Sequence, residues 1–319
     1  MKRFIFFACG LALAVWLVLA VGAPAVGATL RHVGWYGILT ICAFHLIATA
    51  TMGLAWWNLR RAGRRRGFIW ARLVRDGGSE VLPLSQIGGY LLGARATVLN
   101  GTAGAAALAS SVLDATCEFG AQICYIALGL VLLEWRWPHS VLAAPVALAL
   151  GGAAAAGALL VAAQTCGRPI FARLAGWLPR RLRGATIAGV SDMRAELARI
   201  WSAKSQLLQS MGLHFAAWLI GSAEAWLALR LMGVAVDALT IVVFESLLSA
   251  ARAIAFMVPA AIGVQEGAYF ALGGMLGVPP DAALALSLLK RGRDVVLGIP
   301  ALATLQYREG RSRRPGVLR

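Results

Sequence analysis

The sequence predicts an all-α, polytopic membrane protein with about six full spans and two broken or re-entrant helical elements, arranged as an inverted repeat. Three observations predict it. Apolar residues make up 60% of the 319, and only 14% are charged, where a soluble domain carries roughly a quarter; the mean hydropathy is +0.74. The 30 Lys and Arg are bunched rather than spread: at Lys2 and Arg3, from Arg60 to Arg75, from Arg168 to Lys204, and from Arg308 to Arg319. Two apolar stretches are interrupted by Pro and Gly yet carry charged side chains.

The bunching follows the positive-inside rule and makes the formal charge of +16 a signature of membrane orientation. No nucleic-acid partner is expected. The five cysteines (Cys9, Cys42, Cys117, Cys124, Cys166) show no CxxC spacing and read as small apolar side chains. His32, His45, His139 and His214 are scattered singly, so no metal or cofactor is expected.

In chain order, residues 4–21 form an apolar run behind Lys2 and Arg3, long enough to span a bilayer. Small residues follow at 23–28, so a cleaved signal peptide is the alternative to a retained first span. Residues 36–59 are the next span, with Trp35, Trp56 and Trp57 at the interfaces. The arginines of 60–75 then mark the cytoplasmic side, within a loop of about 60–80. Residues 83–110 contain Pro83, Gly88, Gly89, Gly93, Gly101 and Gly104 around Arg95 and Asn100, and predict two half-length helices that enter and leave on one side. Residues 112–133 are a regular span in which Asp114 and Glu118 share a face. An Ala/Gly-rich span at 140–163 suits close helix packing.

A second cytoplasmic loop covers about 164–206. Within it, residues 187–208 set Met193, Leu197, Ile200 and Trp201 against Arg194, Glu196 and Arg199, as an interfacial helix does. Spans follow at 210–232, carrying Glu224, and at 239–257, carrying Glu245 and Arg252. The second broken stretch, 256–294, holds the interruptions Pro259, Gly263 and Gly267 and the polar side chains Gln265, Glu266, Lys290, Arg291, Arg293 and Asp294. A span at 282–305 closes a single integral membrane domain (1–306), and 307–319 is a basic tail. With both termini cytoplasmic, the parity of spans requires the two broken elements to approach the midplane from opposite faces. Paired interrupted segments of this kind point to a midplane site.

Nine charged residues lie in or beside apolar segments: Arg95, Asp114, Glu118, Glu224, Glu245, Arg252, Glu266, Arg291 and Asp294. Each costs roughly 2.5–3.5 kcal/mol at a helix centre, so they pair internally as glue between helices, or line a cavity. The candidate headgroup site is Arg95, Asp114, Glu118, Arg252, Gln265, Glu266, Arg291 and Asp294. Arginine suits phosphate, and carboxylates accept from amines, hydroxyls or a coupled proton. A phosphate-cradling loop, a Walker Lys, a nucleophile–base spacing and a zinc motif are all missing.

The segments VPAAIGVQEG (258–267), LLKRGRD (288–294), LPLSQIGGYLLGARA (82–96) and SSVLDATCEFGAQ (110–122) resemble, in order and spacing, the flippase-like transmembrane family that includes the membrane portion of lysylphosphatidylglycerol synthase. The resemblance is closest to its hopanoid-biosynthesis-associated branch and covers about residues 1–306. Gly263, Val264 and Glu266 match the family's turn, Leu288, Leu289 and Arg291 its later helix, and Asp114 its S-V-x-x-D element. Ala260 and Ala261 stand where many members have Pro or Gly. The resemblance implies lipid translocation, or membrane support for lipid processing, and no aminoacyl transfer, since no synthase domain follows Arg319.

The first functional expectation is therefore a flippase-type carrier of a polar lipid, a hopanoid or another isoprenoid-derived lipid, in the bacterial inner membrane. Arg95, Arg252 and Arg291 would contact the headgroup, and loss of Glu266 or Arg291 would abolish transport while leaving insertion intact. An integral-membrane lipid headgroup or glycosyl transferase is the alternative, with Asp76–Glu80 or Asp192–Glu196 as its only acid/base candidates. A scaffold holding cytoplasmic lipid-processing enzymes through 168–204 is a third. The partners on these readings are a membrane lipid, such enzymes, and other copies of the chain.

Overall fold

The computed structural model describes residues 12–82 other than 14, 85–166, 180–254 and 261–312. Among these the chain is helical, without strands. The expected first span (4–21) and the interruptions Pro83 and Pro259 lie wholly or largely outside the described residues, although 15–21 are helical.

We label the helices α1 (Ala23–Arg60), α2 (Arg65–Glu80), α3 (Ser85–Leu99), α4 (Gly104–Arg136), α5 (Ala143–Cys166), α6 (Arg180–Ser202), α7 (Lys204–Leu231), α8 (Ala238–Ile254), α9 (Val264–Leu276) and α10 (Pro280–Ser312). By length and composition α1, α4 and most of α5 can each cross a membrane. The 28-residue α7 and 33-residue α10 are long enough but more polar, α7 through Gln206, Gln209 and His214 and α10 through its charged side chains. α1 bends at Gly34, whose φ of 61° glycine adopts without steric cost.

The order long, short, short, long occurs twice, as α1–α4 and as α7–α10. α1 and α7 pack along each other and run antiparallel: Gly37 lies by Leu231, His45 meets Glu224, and Asn58 donates to the Gln206 carbonyl oxygen. α4 packs on α7 and α8, while α10 packs on α1 and α2. The fold is thus two antiparallel halves, each closed by the last long helix of the other. α5 and α6 lie between them in sequence and rest on α4.

The first broken element is α2 plus α3, one helix earlier than residues 83–110 predict. The segment expected as a basic loop at 60–80 is instead largely α2, and its Arg72 and Arg75 are buried. Gly88 and Gly89 lie inside α3 rather than interrupting a helix. Their neighbourhood is glycine-rich because α2 and α3 touch: a Cβ on Gly89 would come within 2.5 Å of the Arg75 carbonyl oxygen, and one on Gly93 within 2.9 Å of the Arg75 Cβ. Gly267 is likewise helical, within α9. The second interruption sits at Ala261 (φ 48°) and Gly263 (φ 81°).

Two further expectations shift. The amphipathic helix α6 turns Leu197 and Ile200 onto Leu59, Leu113 and Cys117, so its apolar face packs on the bundle instead of on lipid. The tail expected from 307 continues α10 as far as Ser312. It is tied to α3 by Arg308, which donates to Asn100 at 3.0 Å.

Candidate functional site

Helix periodicity places Phe68, Ala71, Arg72, Arg75 and Gly78 on one side of α2, and that side faces the bundle. Arg72 forks onto Glu118 with two bonds of 3.0 and 2.7 Å and donates from Nε to Asp76 at 3.0 Å. Arg75 donates to Asp114 at 2.6 Å, also bonds Glu118, and stacks its guanidinium 3.8 Å over the Tyr90 ring. The second Asp114 oxygen lies 2.9 Å from His214 Nε2, and Asp114 and His214 are both fully buried. Bidentate geometry and shared carboxylates are what allow such charges to sit inside a bundle.

The other half repeats this arrangement with the signs exchanged. Arg72 is the eighth residue of α2, and Glu245 is the eighth of α8. Asp114 and Lys290 are each the eleventh of α4 and α10. Tyr90 and Tyr269 are each the sixth of α3 and α9. Accordingly Lys290 donates to Glu245 at 2.7 Å, and the Tyr269 hydroxyl donates to the same carboxylate at 3.0 Å.

Glu266 holds the second interruption closed. It accepts from the Gly263 N–H at 2.8 Å, from Ser287 at 3.3 Å and from Arg291. Gln265 donates to Ser287 at 3.0 Å and accepts from Arg252 at 2.9 Å. Arg252 then reaches across to Glu80 at 2.6 Å. Since Glu80 ends α2 and Arg252 lies near the end of α8, this bond joins the tips of the two hairpins. The pair is partly accessible, at 20% and 31%.

Beside the tips is a narrow cleft of ≈ 20 Å³ between α1, α2 and α10, room for about one water molecule. His45, Thr49, Asp76, Glu80 and Asp294 supply its polar wall; Leu73, Gly77, Leu297 and Gly298 complete it. The helices cross at Gly77 and Gly298, where a Cβ on Gly77 would lie 2.8 Å from the Gly298 Cα. Behind the wall, Glu224 accepts from Arg293 and lies 2.8 Å from His45 Nδ1, while Arg293 also forks onto Asp294. The cleft therefore offers carboxylates and an imidazole, with each neighbouring arginine held behind them. Among the described residues no group of three or more His, Cys, Asp or Glu is placed to hold a metal ion.

Of the residues singled out from sequence, Asp294 lines the cleft and Arg252 reaches it through Glu80. Asp114, Glu118, Gln265, Glu266 and Arg291 stand in the networks behind. Arg95 stands apart: it is 43% exposed and paired with Glu309 at 2.8 Å. Sequence reasoning missed Arg72, Arg75, His45 and His214, and named Asp76 and Glu80 only as acid/base candidates of a transferase. The available signal was the one-sided spacing of Phe68, Arg72 and Arg75, hidden within a run of surface arginines.

The family described as "Lysylphosphatidylglycerol synthase TM region" matches residues 5–301. No curated relative and no solved structure matches the chain.

Proposed function

The chain belongs to the lysylphosphatidylglycerol synthase TM-region family, a membrane family of lipid-related function, and from that premise we propose that it is a flippase-type carrier of a polar lipid. The observation that carries the reading is the Glu80–Arg252 bond between the two hairpin tips at the rim of a polar cleft. Discontinuous helices meeting beside a polar cavity are how inverted-repeat carriers build a substrate site. When the hairpin tips part and the cleft widens, the headgroup contacts His45, Asp76, Glu80 and Asp294, and the tail stays in lipid. Breaking and re-forming the tip bond exposes the cleft to one face and then the other.

The wall chemistry supports a headgroup that both donates and accepts hydrogen bonds, and a hydroxylated isoprenoid-derived lipid such as a hopanoid fits it. Arg95 and Arg291 drop out as headgroup ligands on this reading, since one is remote and the other clamps Glu266. The remaining Arg clusters support a bacterial inner-membrane location with both termini cytoplasmic. Asp76 and Glu80 do meet at the cleft, but arginines engage both carboxylates, which favours binding over acid–base chemistry.

The test is lipid movement in proteoliposomes with a panel of labelled polar lipids. Glu80→Arg and Arg252→Glu should each slow movement about five- to tenfold, or ~1–1.4 kcal/mol, and the double exchange should restore part of it. Unaltered rates in both single variants, at equal amounts of folded protein, would remove the tip bond from the mechanism.

A further inference from the structure

We propose that the buried His214–Asp114 pair is a proton-binding site, reached from one end of the bundle along a polar seam on α7, whose occupancy sets the arginine clamp behind the lipid cleft. The inference rests on the carrier reading and adds to it a second ligand, the proton.

The Nε2 of His214 faces Asp114 Oδ1 at 2.9 Å. A carboxylate only accepts, so Nε2 carries the hydrogen and Nδ1 keeps its lone pair. That Nδ1 is buried and has no hydrogen-bond partner among the described residues. A buried imidazole nitrogen with a free lone pair, one bond from a carboxylate, is a proton acceptor placed beside the charge that stabilises its conjugate acid.

A polar route leads to it. Gln206, Ser210, His214 and Trp218 follow one another at four-residue intervals, so they share a face of α7 in steps of about 6 Å. Gln206 Oε1 and Trp218 Nε1 are also buried without a partner among the described residues, and the Ser210 hydroxyl sits between them beside the Cys117 thiol. Apolar side chains would pack this seam at no desolvation cost. The column begins where Asn58 and Arg61 bond α7 at the exposed end, which gives protons an entry from that face.

The pair is linked to the cleft through shared carboxylates. Asp114 binds Arg75, Arg75 and Arg72 share Glu118, and Arg72 binds Asp76 in the cleft wall. A proton on Nδ1 gives Asp114 an imidazolium beside Arg75 and Arg72, the two cations it already faces. That weakens its hold on Arg75 and shifts both arginines toward Glu118 and Asp76. The cleft carboxylate thus feels the proton without touching it.

The other charges around His214 are accounted for. α4 presents Asp114 and Glu118, with Arg72 and Arg75 of α2 behind them. α8 carries Glu245, bound by Lys290, and α6 carries Asp192, Arg194 and the Glu196–Arg199 pair, which Arg60 of α1 joins at 3.6 Å. α10 reaches α7 through Arg293 at Glu224, and α1 has no charged residue between His45 and Arg60.

The experiment is lipid movement in oriented proteoliposomes with the pH varied on one side at a time, from about 5.5 to 8, in wild type and His214→Gln. A parallel ¹⁵N-imidazole NMR titration of the full wild-type chain uses His45→Gln to tell the His45 and His214 imidazoles apart. We expect a several-fold change in rate when the pH is varied on the Gln206 side only, loss of that response in H214Q, and an Nδ1 signal of His214 that titrates within the range. A wild-type rate independent of pH overturns the inference and leaves the carrier reading standing, as does a pH response that survives in H214Q. No lipid movement in wild type overturns the carrier reading. The NMR titration then decides the proton site alone, and an invariant His214 signal overturns it too.

Discussion

On our account Glu266 acts as a brace: it caps the start of α9 through the Gly263 N–H and binds Arg291 and Ser287. Removing one partner of such a buried set costs ~3–5 kcal/mol, because the other charge is left uncompensated. Glu266→Ala is therefore expected to lower the yield of folded protein, read as the monodisperse peak in detergent chromatography, before any effect on transport can be measured. A full yield of Glu266→Ala would return Glu266 to the list of ligands. At the mouth of α8, Asp237 accepts from the Thr240 hydroxyl at 2.6 Å and the Thr240 N–H at 3.0 Å. Those bonds hold its carboxyl below the ordinary range. A lowered carboxyl stabilises the fold above its unfolded value and loses that contribution as pH falls through the native one. Asp237→Ala should cost about 1 kcal/mol of thermal stability near neutral pH, and the gap to wild type should close in strong acid. Of these residues, the Asp114–Glu118 face was legible because both lie within one apolar span. Arg72 and Arg75 were not, because burial is set by a neighbouring helix and not by the local run of charge.

The glycines carry the lesson at the level of elements. From sequence, Gly88 and Gly89 read as places where a helix stops, yet α3 runs through them. Gly89 and Gly93 are small so that α3 can lie against the α2 backbone. A close approach and a chain break have the same composition, and only the partner helix separates them. Gly263, with its positive φ, is a break in fact. Gly89→Ala should push α2 from α3 and cost ~1–3 kcal/mol, as overpacking does. Gly151→Ala, on α5 where an added Cβ meets nothing within 4 Å, should stabilise its helix by ~0.5–1 kcal/mol. Thermal unfolding of the two purified variants checks the opposite signs. Equal shifts would mean that the α2–α3 contact is not tight.

The whole molecule is two antiparallel halves that share geometry and exchange charge. Arg72 and Glu245 hold equivalent places, as do Asp114 and Lys290, so each hairpin is pinned to the last long helix of its own half by an ion pair of opposite sense. The repeat was legible only as the two interrupted apolar stretches, 83–110 and 256–294. The charge exchange hid it, because matching residues are chemically unlike. The all-α membrane class followed directly from composition, but the cleft did not, since it forms where α1, α2 and α10 meet from distant parts of the chain. Where the halves touch at their tips, Glu80 and Arg252 are the moving contact on our account.

The most direct measurement locks that contact. In a chain whose five native cysteines are replaced by alanine, Glu80→Cys and Arg252→Cys are joined by a short cleavable crosslinker in proteoliposomes. Lipid movement should stop on crosslinking and return to the slowed rate of the uncrosslinked double variant when the linker is cleaved. Movement that continues unchanged with the tips joined would contradict the account.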